Sequence, residues 1–254
     1  MKIALLQTNL IWENPNENIR LLEEKINTIS QYVDLIVLPE MFTSGFTMQP
    51  QKVAQTMQDE TIAWLKNLAK ERNCALTGSL VITENNMFYN RLVFVFPTGE
   101  IQYYNKKHLF TLAGEDKVYT AGNEKLIIEY KGFKICPLIC YDLRFPVFSR
   151  NVENYDVLIY VANWPKSRIN AWDILLKARA IENMSYVIGV NRVGIDNNNN
   201  QYVGHSIAID YLGNELTKPS EKEEILYVEL NKNEILETRK KLNFFADRDN
   251  FKLV

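Results

Sequence analysis

Lys134-Ile135-Cys136-Pro137-Leu138-Ile139-Cys140-Tyr141-Asp142-Leu143-Arg144-Phe145-Pro146 begins as a nearly unbroken apolar run and then turns polar. An apolar stretch of that length, with no polar face, reads as an interior strand of a covered sheet. Past its end at Cys140, Asp142 suits a helix N-cap and Pro146 the first position of a helix. A thiol at a strand end near a positive helix terminus is expected to ionise readily and to reach a ligand. Taken alone, a cysteine there is read first as a small buried hydrophobe. The surrounding segments change that reading.

Outward from this strand, helices and strands alternate, and then strands come in pairs. Residues 2–9 read as a strand, and 16–32 as a helix with Ile19, Leu22, Ile26 and Ile29 on one face. Residues 34–38 form a short buried strand stopped by Pro39, and 56–72 a second helix. Strands at 74–82 and 91–96 follow, the latter turning through Thr98-Gly99 into 101–104, and Lys131-Gly132 joins 126–130 to 133–139. In the second half, 156–162 is a strand, 170–184 a helix, and 185–193 and 202–210 are strands. The tract Asp196-Asn197-Asn198-Asn199-Asn200 between them reads as a solvated turn. A last hairpin runs through Leu212-Gly213-Asn214 into 224–230.

Strands outnumber helices and several are hairpin-joined, which excludes an all-parallel sheet with one crossover helix per strand. Two mixed sheets packed face to face, with helices outside, use every segment. The expectation is an α/β protein, a four-layer α-β-β-α sandwich. No Pro/Gly/Ser-rich linker divides the chain, so residues 1–254 are expected to form a single domain.

Net charge is −2 with lysines spread along the chain, which points away from nucleic acid and from anionic membranes. Three cysteines, at positions 74, 136 and 140, do not make a disulfide framework. With no signal-like N-terminus and no apolar run of membrane length, a cytoplasmic protein is expected. Only His108 and His205 are present and no Cys pair has metal-knuckle spacing, so no metal is expected. Phosphate-binding glycine loops are absent too, and no cofactor is expected.

Three further segments are strands that stop abruptly in polar residues: Leu35-Ile36-Val37-Leu38-Pro39-Glu40-Met41-Phe42, Tyr103-Tyr104-Asn105-Lys106-Lys107-His108-Leu109-Phe110, and Tyr160-Val161-Ala162-Asn163-Trp164-Pro165. Singly they read as a surface glutamate, a solvated lysine pair and a packed Trp-Pro corner. Strand ends are where α/β proteins assemble sites, so with Cys140 they suggest one pocket.

In order and spacing, Glu in "LPE", Lys in "K-x-H-L-F" and Cys in "CYDLRFP" resemble the nitrilase, or carbon–nitrogen hydrolase, superfamily. "LPEMFTSGFTM" and "ANWPKSR" most resemble its omega-amidase branch, and the likeness runs on to Phe244-Phe245-Ala246-Asp247-Arg248-Asp249. The resemblance implies the four-layer sandwich, usually as a homodimer. It implies Cys140 as nucleophile, Glu40 as general base and Lys106 as the family lysine, with Lys107 at the variable position. A second carboxylate best matches Glu115, next to Asp116, and Tyr141 would contribute its backbone N–H. His108 is expected to be structural, since the family uses Glu as its base.

The implied reaction is hydrolysis of a small dicarboxylic monoamide, such as α-ketoglutaramate or α-ketosuccinamate, through a thioester on Cys140. Other amide or N-carbamoyl-amine hydrolases of the superfamily, and a catalytically silent binding protein, stand as alternatives. A substrate carboxylate needs a cation. Arg168 is preferred to Arg144, on the expectation that Arg144 is engaged with Asp142 or a subunit contact. Phe42 and Trp164 are expected to be apolar walls of the pocket.

Overall fold

The computed structural model describes residues 1–249 and 251. Its strands are β1 (Lys2–Gln7), β2 (Leu35–Val37), β3 (Ala75–Glu84), β4 (Met87–Val95), β5 (Ile101–Asn105), β6 (Ile128–Tyr130), β7 (Phe133–Ile139), β8 (Val157–Ala162), β9 (Tyr186–Asn191), β10 (Val193–Ile195), β11 (Gln201–Val203), β12 (Ile207–Ile209) and β13 (Glu224–Glu229). The helices are α1 (Pro15–Asn27), α2 (Glu60–Arg72), α3 (Pro146–Ser149), α4 (Ile169–Asn183) and α5 (Lys232–Leu242).

Two large mixed sheets have the orders β13-β1-β2-β3-β4-β5 and β12-β9-β8-β7-β6, and β10 pairs with β11 in a separate two-stranded sheet. In the first, β1, β2 and β3 are parallel, with antiparallel neighbours on both sides. In the second, β7, β8 and β9 are the parallel trio. Period-two alternation divides the first sheet's side chains between two cores. Ile3, Leu5, Leu35 and Val37 face the second sheet, where Ile135 and Leu138 join the same core. Ala4, Leu6 and Ile36 face outward, under Leu22 and Ile26 of α1 and Ile62 and Leu65 of α2. On the far side, Trp172 and Leu176 of α4 lie against β9. A Cβ on Gly189 would stand 2.6 Å from Leu176 Cδ1 and 2.9 Å from Trp172 Cζ2, so this close approach needs glycine. The four-layer α-β-β-α arrangement follows.

Local chemistry moved several expected boundaries. The first helix stops at Asn27, where the Thr28 hydroxyl donates back to Lys25 O at 2.7 Å. The second starts only at Glu60, because Thr56 and Asp59 close a turn of their own, with Thr56 N 2.8 Å from Asp59 Oδ2. The strand expected over 202–210 is broken: Gly204 and His205 both have positive φ, +71° and +59°, leaving β11 and β12 in different sheets. Helix α5 was not anticipated. Asn231 caps it by accepting from Asn233 N, while Arg239 and Lys232 bind the buried Asp156.

Cys140 does not open onto a regular helix. Residues Cys140–Arg144 form a 3₁₀ turn, and α3 beyond it has only four residues. Asp142 sits inside that turn rather than capping a following helix. No helix among the described residues is long and apolar enough to cross a membrane.

Candidate active site

β5 runs in the direction of the parallel β1–β3 trio, so the strands preceding Glu40, Lys106, Cys140 and Asn163 all finish at one end of the sandwich. Past Pro39, the chain at Glu40 is anchored by Met41 N, which donates to Ser79 Oγ at 2.9 Å. Glu40 is fully buried. Its Oε1 accepts from Asn90 Nδ2 at 2.8 Å and Lys106 Nζ at 3.0 Å, and its Oε2 from Asn163 N at 2.8 Å. Glu115, equally buried, accepts from Lys106 Nζ at 3.0 and 2.9 Å and from Phe110 N at 2.6 Å. Lys106 thus joins both carboxylates, whereas Lys107 is half-buried and Asp116 exposed.

Cys140 has φ of +44°, a left-handed conformation that is strained for a residue with a Cβ. Its thiol lies near enough to Glu40 for the carboxylate's charge to act on it. Tyr141 is the second residue of a 3₁₀ turn, so its N–H precedes the turn's first internal hydrogen bond and is open to another acceptor.

Burial opposes the charge on Lys106, but Glu115 and Glu40 outweigh it and push the ammonium well above its usual range. Burial, with the Glu40 charge opposing Lys106, raises the carboxyl of Glu115. Burial and the Glu40 charge also raise the thiol of Cys140 well above its ordinary value, outweighing Lys106. The expectation of a readily ionised thiolate is therefore corrected: no full helix lies directly beyond Cys140, and burial with the Glu40 charge favours the protonated sulfur.

Cys140, Lys106, Tyr141 and Trp164 line a cavity of about 430 Å³, with Arg144 and Arg168 also in its wall. The Arg168 guanidinium lies 5.0 Å from the Phe110 ring centre and that of Arg144 lies 5.1 Å from Trp164. Phe42 is not a wall. It is fully buried among the α2 side chains, 6.5 Å from the Trp64 ring, because the tight turn at Met41 directs it beneath the first sheet. Phe46 takes that place, its ring centre 5.1 Å from Lys106 Nζ. Arg144 is not engaged with Asp142, as one ground for preferring Arg168 had it: Asp142 is bound by Tyr104, His108 and Ile139 N, and Arg144 stays on the cavity. His108 stacks on Phe145 at 3.7 Å and bonds Asp142, outside the cavity lining.

The carbon–nitrogen hydrolase family model matches residues 2–240. This chain belongs to the carbon–nitrogen hydrolase family. It is 41% identical over 254 residues to the omega-amidase YafV of Escherichia coli K12, covering 100% of this chain and 98% of that one. It is 35% identical over 250 residues to the 2-oxoglutaramate amidase of Bacillus subtilis, with 96% of each covered. The crystal structure of XC1258 from Xanthomonas campestris, a CN-hydrolase superfamily protein with an arsenic adduct in its active site, superposes with a TM-score of 0.97. That match has 39% identity and covers 100% of this chain and 99% of the other.

In this carbon–nitrogen hydrolase, two asparagines complete the site that sequence reading did not single out. Asn90, in the middle of β4, donates to Glu40 at 2.8 Å and Glu115 at 3.3 Å, and its own carbonyl oxygen accepts from Ser79 Oγ. A polar residue within the apolar run of β4 was its only signal. Asn163 donates through Nδ2 to Glu40 O at 2.7 Å, which fixes its amide orientation. The Asn-rich tract is more than a solvated turn. Asp196 gathers Asn198 N, Asn200 N and the Tyr202 hydroxyl, and this β10–β11 hairpin walls the cavity opposite Trp164.

Proposed function

We propose that this carbon–nitrogen hydrolase is an omega-amidase. It would convert α-ketoglutaramate (2-oxoglutaramate) or α-ketosuccinamate to the keto acid and ammonia. The observation that carries this reading is one cavity holding the Cys140 thiol, the Lys106 ammonium and two guanidinium groups, with Glu40 bonded to that ammonium. The full-length likeness to an omega-amidase and a 2-oxoglutaramate amidase supports it.

An amide carbonyl is a poor electrophile, so the reaction needs a strong nucleophile and a stabilised oxyanion. Glu40 takes the proton from Cys140 as the sulfur attacks the carbonyl carbon. Lys106 and the Tyr141 N–H hold the developing oxyanion, each well-placed donor contributing about 3–4 kcal/mol. Collapse of the intermediate breaks the C–N bond, and Glu40 passes its proton to the departing nitrogen. Water, deprotonated by Glu40, then attacks the thioester and releases the acid and the thiol. Glu115 holds the ammonium of Lys106 in place throughout. Arg144 and Arg168 bind the carboxylate at the far end of the substrate, and Trp164 and Phe46 supply apolar walls.

We further read residues 1–254 as one catalytic unit, acting in the cytoplasm as a homodimer without cofactor. Ile174 and Ile181, seven residues apart on α4 and both more than half exposed, support self-association. Light scattering of the purified protein tests it.

The decisive experiment is ammonia release from α-ketoglutaramate, with Cys140→Ala as the paired control. Turnover by the wild type alone is the expected result. Silence in both, with Cys140 still open to alkylation, would keep the hydrolase chemistry and discard the substrate. Release of carbon dioxide together with ammonia from an N-carbamoyl amine would favour that other branch. Equal activity in both proteins would remove Cys140 as nucleophile.

A further inference from the structure

We propose that Asp142 is a positioning residue that ties Lys106 and the Tyr141 N–H, supplied by different sheets, into a single oxyanion site. The inference rests on the reading of those two groups as the oxyanion donors.

Lys106 follows β5 of the first sheet, and Tyr141 follows β7 of the second. An oxyanion held by both depends on how accurately the two sheets are placed against each other. The Lys106 backbone is fixed only from outside the second sheet: its N–H donates to Asn90 O at 3.0 Å, and its carbonyl accepts from Gly122 N at 2.9 Å. The Asp142 carboxylate is what crosses the gap. Oδ1 accepts from His108 N at 3.0 Å and His108 Nδ1 at 2.8 Å. Oδ2 accepts from the Tyr104 hydroxyl at 2.8 Å and Ile139 N at 3.0 Å. The Tyr104 oxygen in turn accepts from Lys107 N at 2.9 Å.

One carboxylate therefore grips the chain directly at 104 and 108, on both sides of Lys106, and reaches 107 through the Tyr104 hydroxyl. It also grips 139 and 142, on both sides of Cys140 and Tyr141. Asp142 is fully buried, and His108 Nδ1 is the ring nitrogen bonded to it. A carboxylate has only acceptor sites, so His108 Nδ1 must carry a hydrogen and point at Oδ1. Stacking of that ring on Phe145, at 3.7 Å and 4° between planes, holds it there. Hydrogen bonds to an ionised acceptor are short and directional, which suits a part whose purpose is accurate placement. An asparagine in the same space would turn an NH₂ group toward donors and lose the register.

The test separates placement of the oxyanion site from substrate binding and from folding. The probe is 4-oxobutanoate, the aldehyde counterpart of the amide succinamate. The Cys140 sulfur adds to its aldehyde carbon, the C=O π bond opens, and the thiol proton passes to Glu40, leaving an oxygen anion in the proposed oxyanion site. Butanoate, which ends in a methyl group where the aldehyde stands, reports binding of the distant carboxylate alone. Both affinities are measured for the wild type, Cys140→Ala, Asp142→Asn and Tyr104→Phe, the last being a milder change that removes one hydroxyl.

The expected result is at least tenfold weaker aldehyde binding in Asp142→Asn and Tyr104→Phe, with butanoate affinity within about twofold of the wild type. kcat should fall with the aldehyde affinity while KM stays nearly constant. Unchanged aldehyde affinity in Tyr104→Phe and in folded Asp142→Asn would overturn the proposal, as would equal losses for aldehyde and butanoate. If the wild type binds the aldehyde no better than Cys140→Ala does, the oxyanion reading fails and the positioning role fails with it. If only the clamp variants match the wild type, the clamp alone is wrong.

Discussion

The ammonium of Lys106 meets the carboxylate of Glu115 side-on, 3.0 Å from Oε1 and 2.9 Å from Oε2, with both groups buried. Glu40 takes a further bond from the same ammonium at 3.0 Å, so one cation serves two carboxylates. Two carboxyl groups therefore face one ammonium beside the thiol. Glu115 and Glu40 keep Lys106 charged and oriented, while burial and then the Glu40 charge favour the protonated form of Cys140. A substrate carbonyl placed between sulfur and ammonium changes the balance, since negative charge then builds on its oxygen.

Replacing Lys106 with Met should leave two buried carboxylates facing each other without a cation. Removing one partner from a buried ion pair is expected to destabilise the fold by about 3–5 kcal/mol. Turnover should fall by a factor on the order of 100 to 1,000 or more. Urea denaturation and ammonia release read the two losses separately. Wild-type stability in this variant would contradict the account of the cluster.

The raised thiol of Cys140 sets a direction for pH dependence. Burial and the Glu40 charge favour the protonated form, so the thiolate fraction should climb about tenfold per pH unit across neutrality. Iodoacetamide modification of the resting enzyme should therefore accelerate steadily from pH 7 to 9, with no plateau. A flat rate from pH 6 upward would reveal a poised thiolate instead. The sign for stability follows: the unfolded thiol, near 9.0, gives up its proton before the folded one. This contribution holds below that pH and is lost as the pH rises above it.

The fold was legible because its signals are local and periodic. The apolar runs within residues 2–7, 35–37 and 133–139 place the strands whatever their neighbours do. Glu40, Lys106 and Cys140 were legible because polar residues closing apolar runs stand out. Asn90 was not, since it lies within a strand and gains its meaning from two carboxylates distant in sequence. Phe42 and Phe46 were not separable either. Which aromatic faces the cavity depends on the positive φ of Met41, +43°, and no pattern in the sequence announces that turn. Helix α5 was missed because its inward face amounts to a single fully buried residue, Ile235.

Arg144→Ala and Arg168→Ala should each raise KM for α-ketoglutaramate about tenfold with little change in kcat. A guanidinium on the distant carboxylate contributes equally to ground and transition states. The same variants should leave KM for an uncharged short-chain amide unchanged. Steady-state kinetics on the two substrates checks this, and an unchanged KM for the keto acid amide would remove that arginine from the binding site.

Asn90→Ala should separate the cluster from the cavity. Asn90 bonds both carboxylates but does not line the cavity, so kcat should drop on the order of tenfold or more while KM holds. Loss of donors to two buried acceptors should also lower stability by about 1–3 kcal/mol. A change confined to KM would show that Asn90 reaches the substrate.

Gly122→Ala should damage catalysis from outside the cavity. A Cβ on Gly122 would stand 2.2 Å from the Asn105 carbonyl oxygen and 2.8 Å from Asn105 Cβ, and backbone at that distance cannot swing aside. Relief requires the two segments to separate, and Gly122 N holds the carbonyl of Lys106 at 2.9 Å across that same contact. The strand end bearing Lys106 must therefore shift, carrying the ammonium away from Glu40 and Glu115. Overpacking of this kind is expected to destabilise by about 1–3 kcal/mol. The displacement should also lower kcat more than tenfold, since an error near 1 Å in a catalytic group has effects of that size or larger. Measured together, a thermal melt and steady-state kinetics should show both losses. A folded variant with wild-type kcat would mean that Lys106 is held by its carboxylates alone and that its backbone register is immaterial.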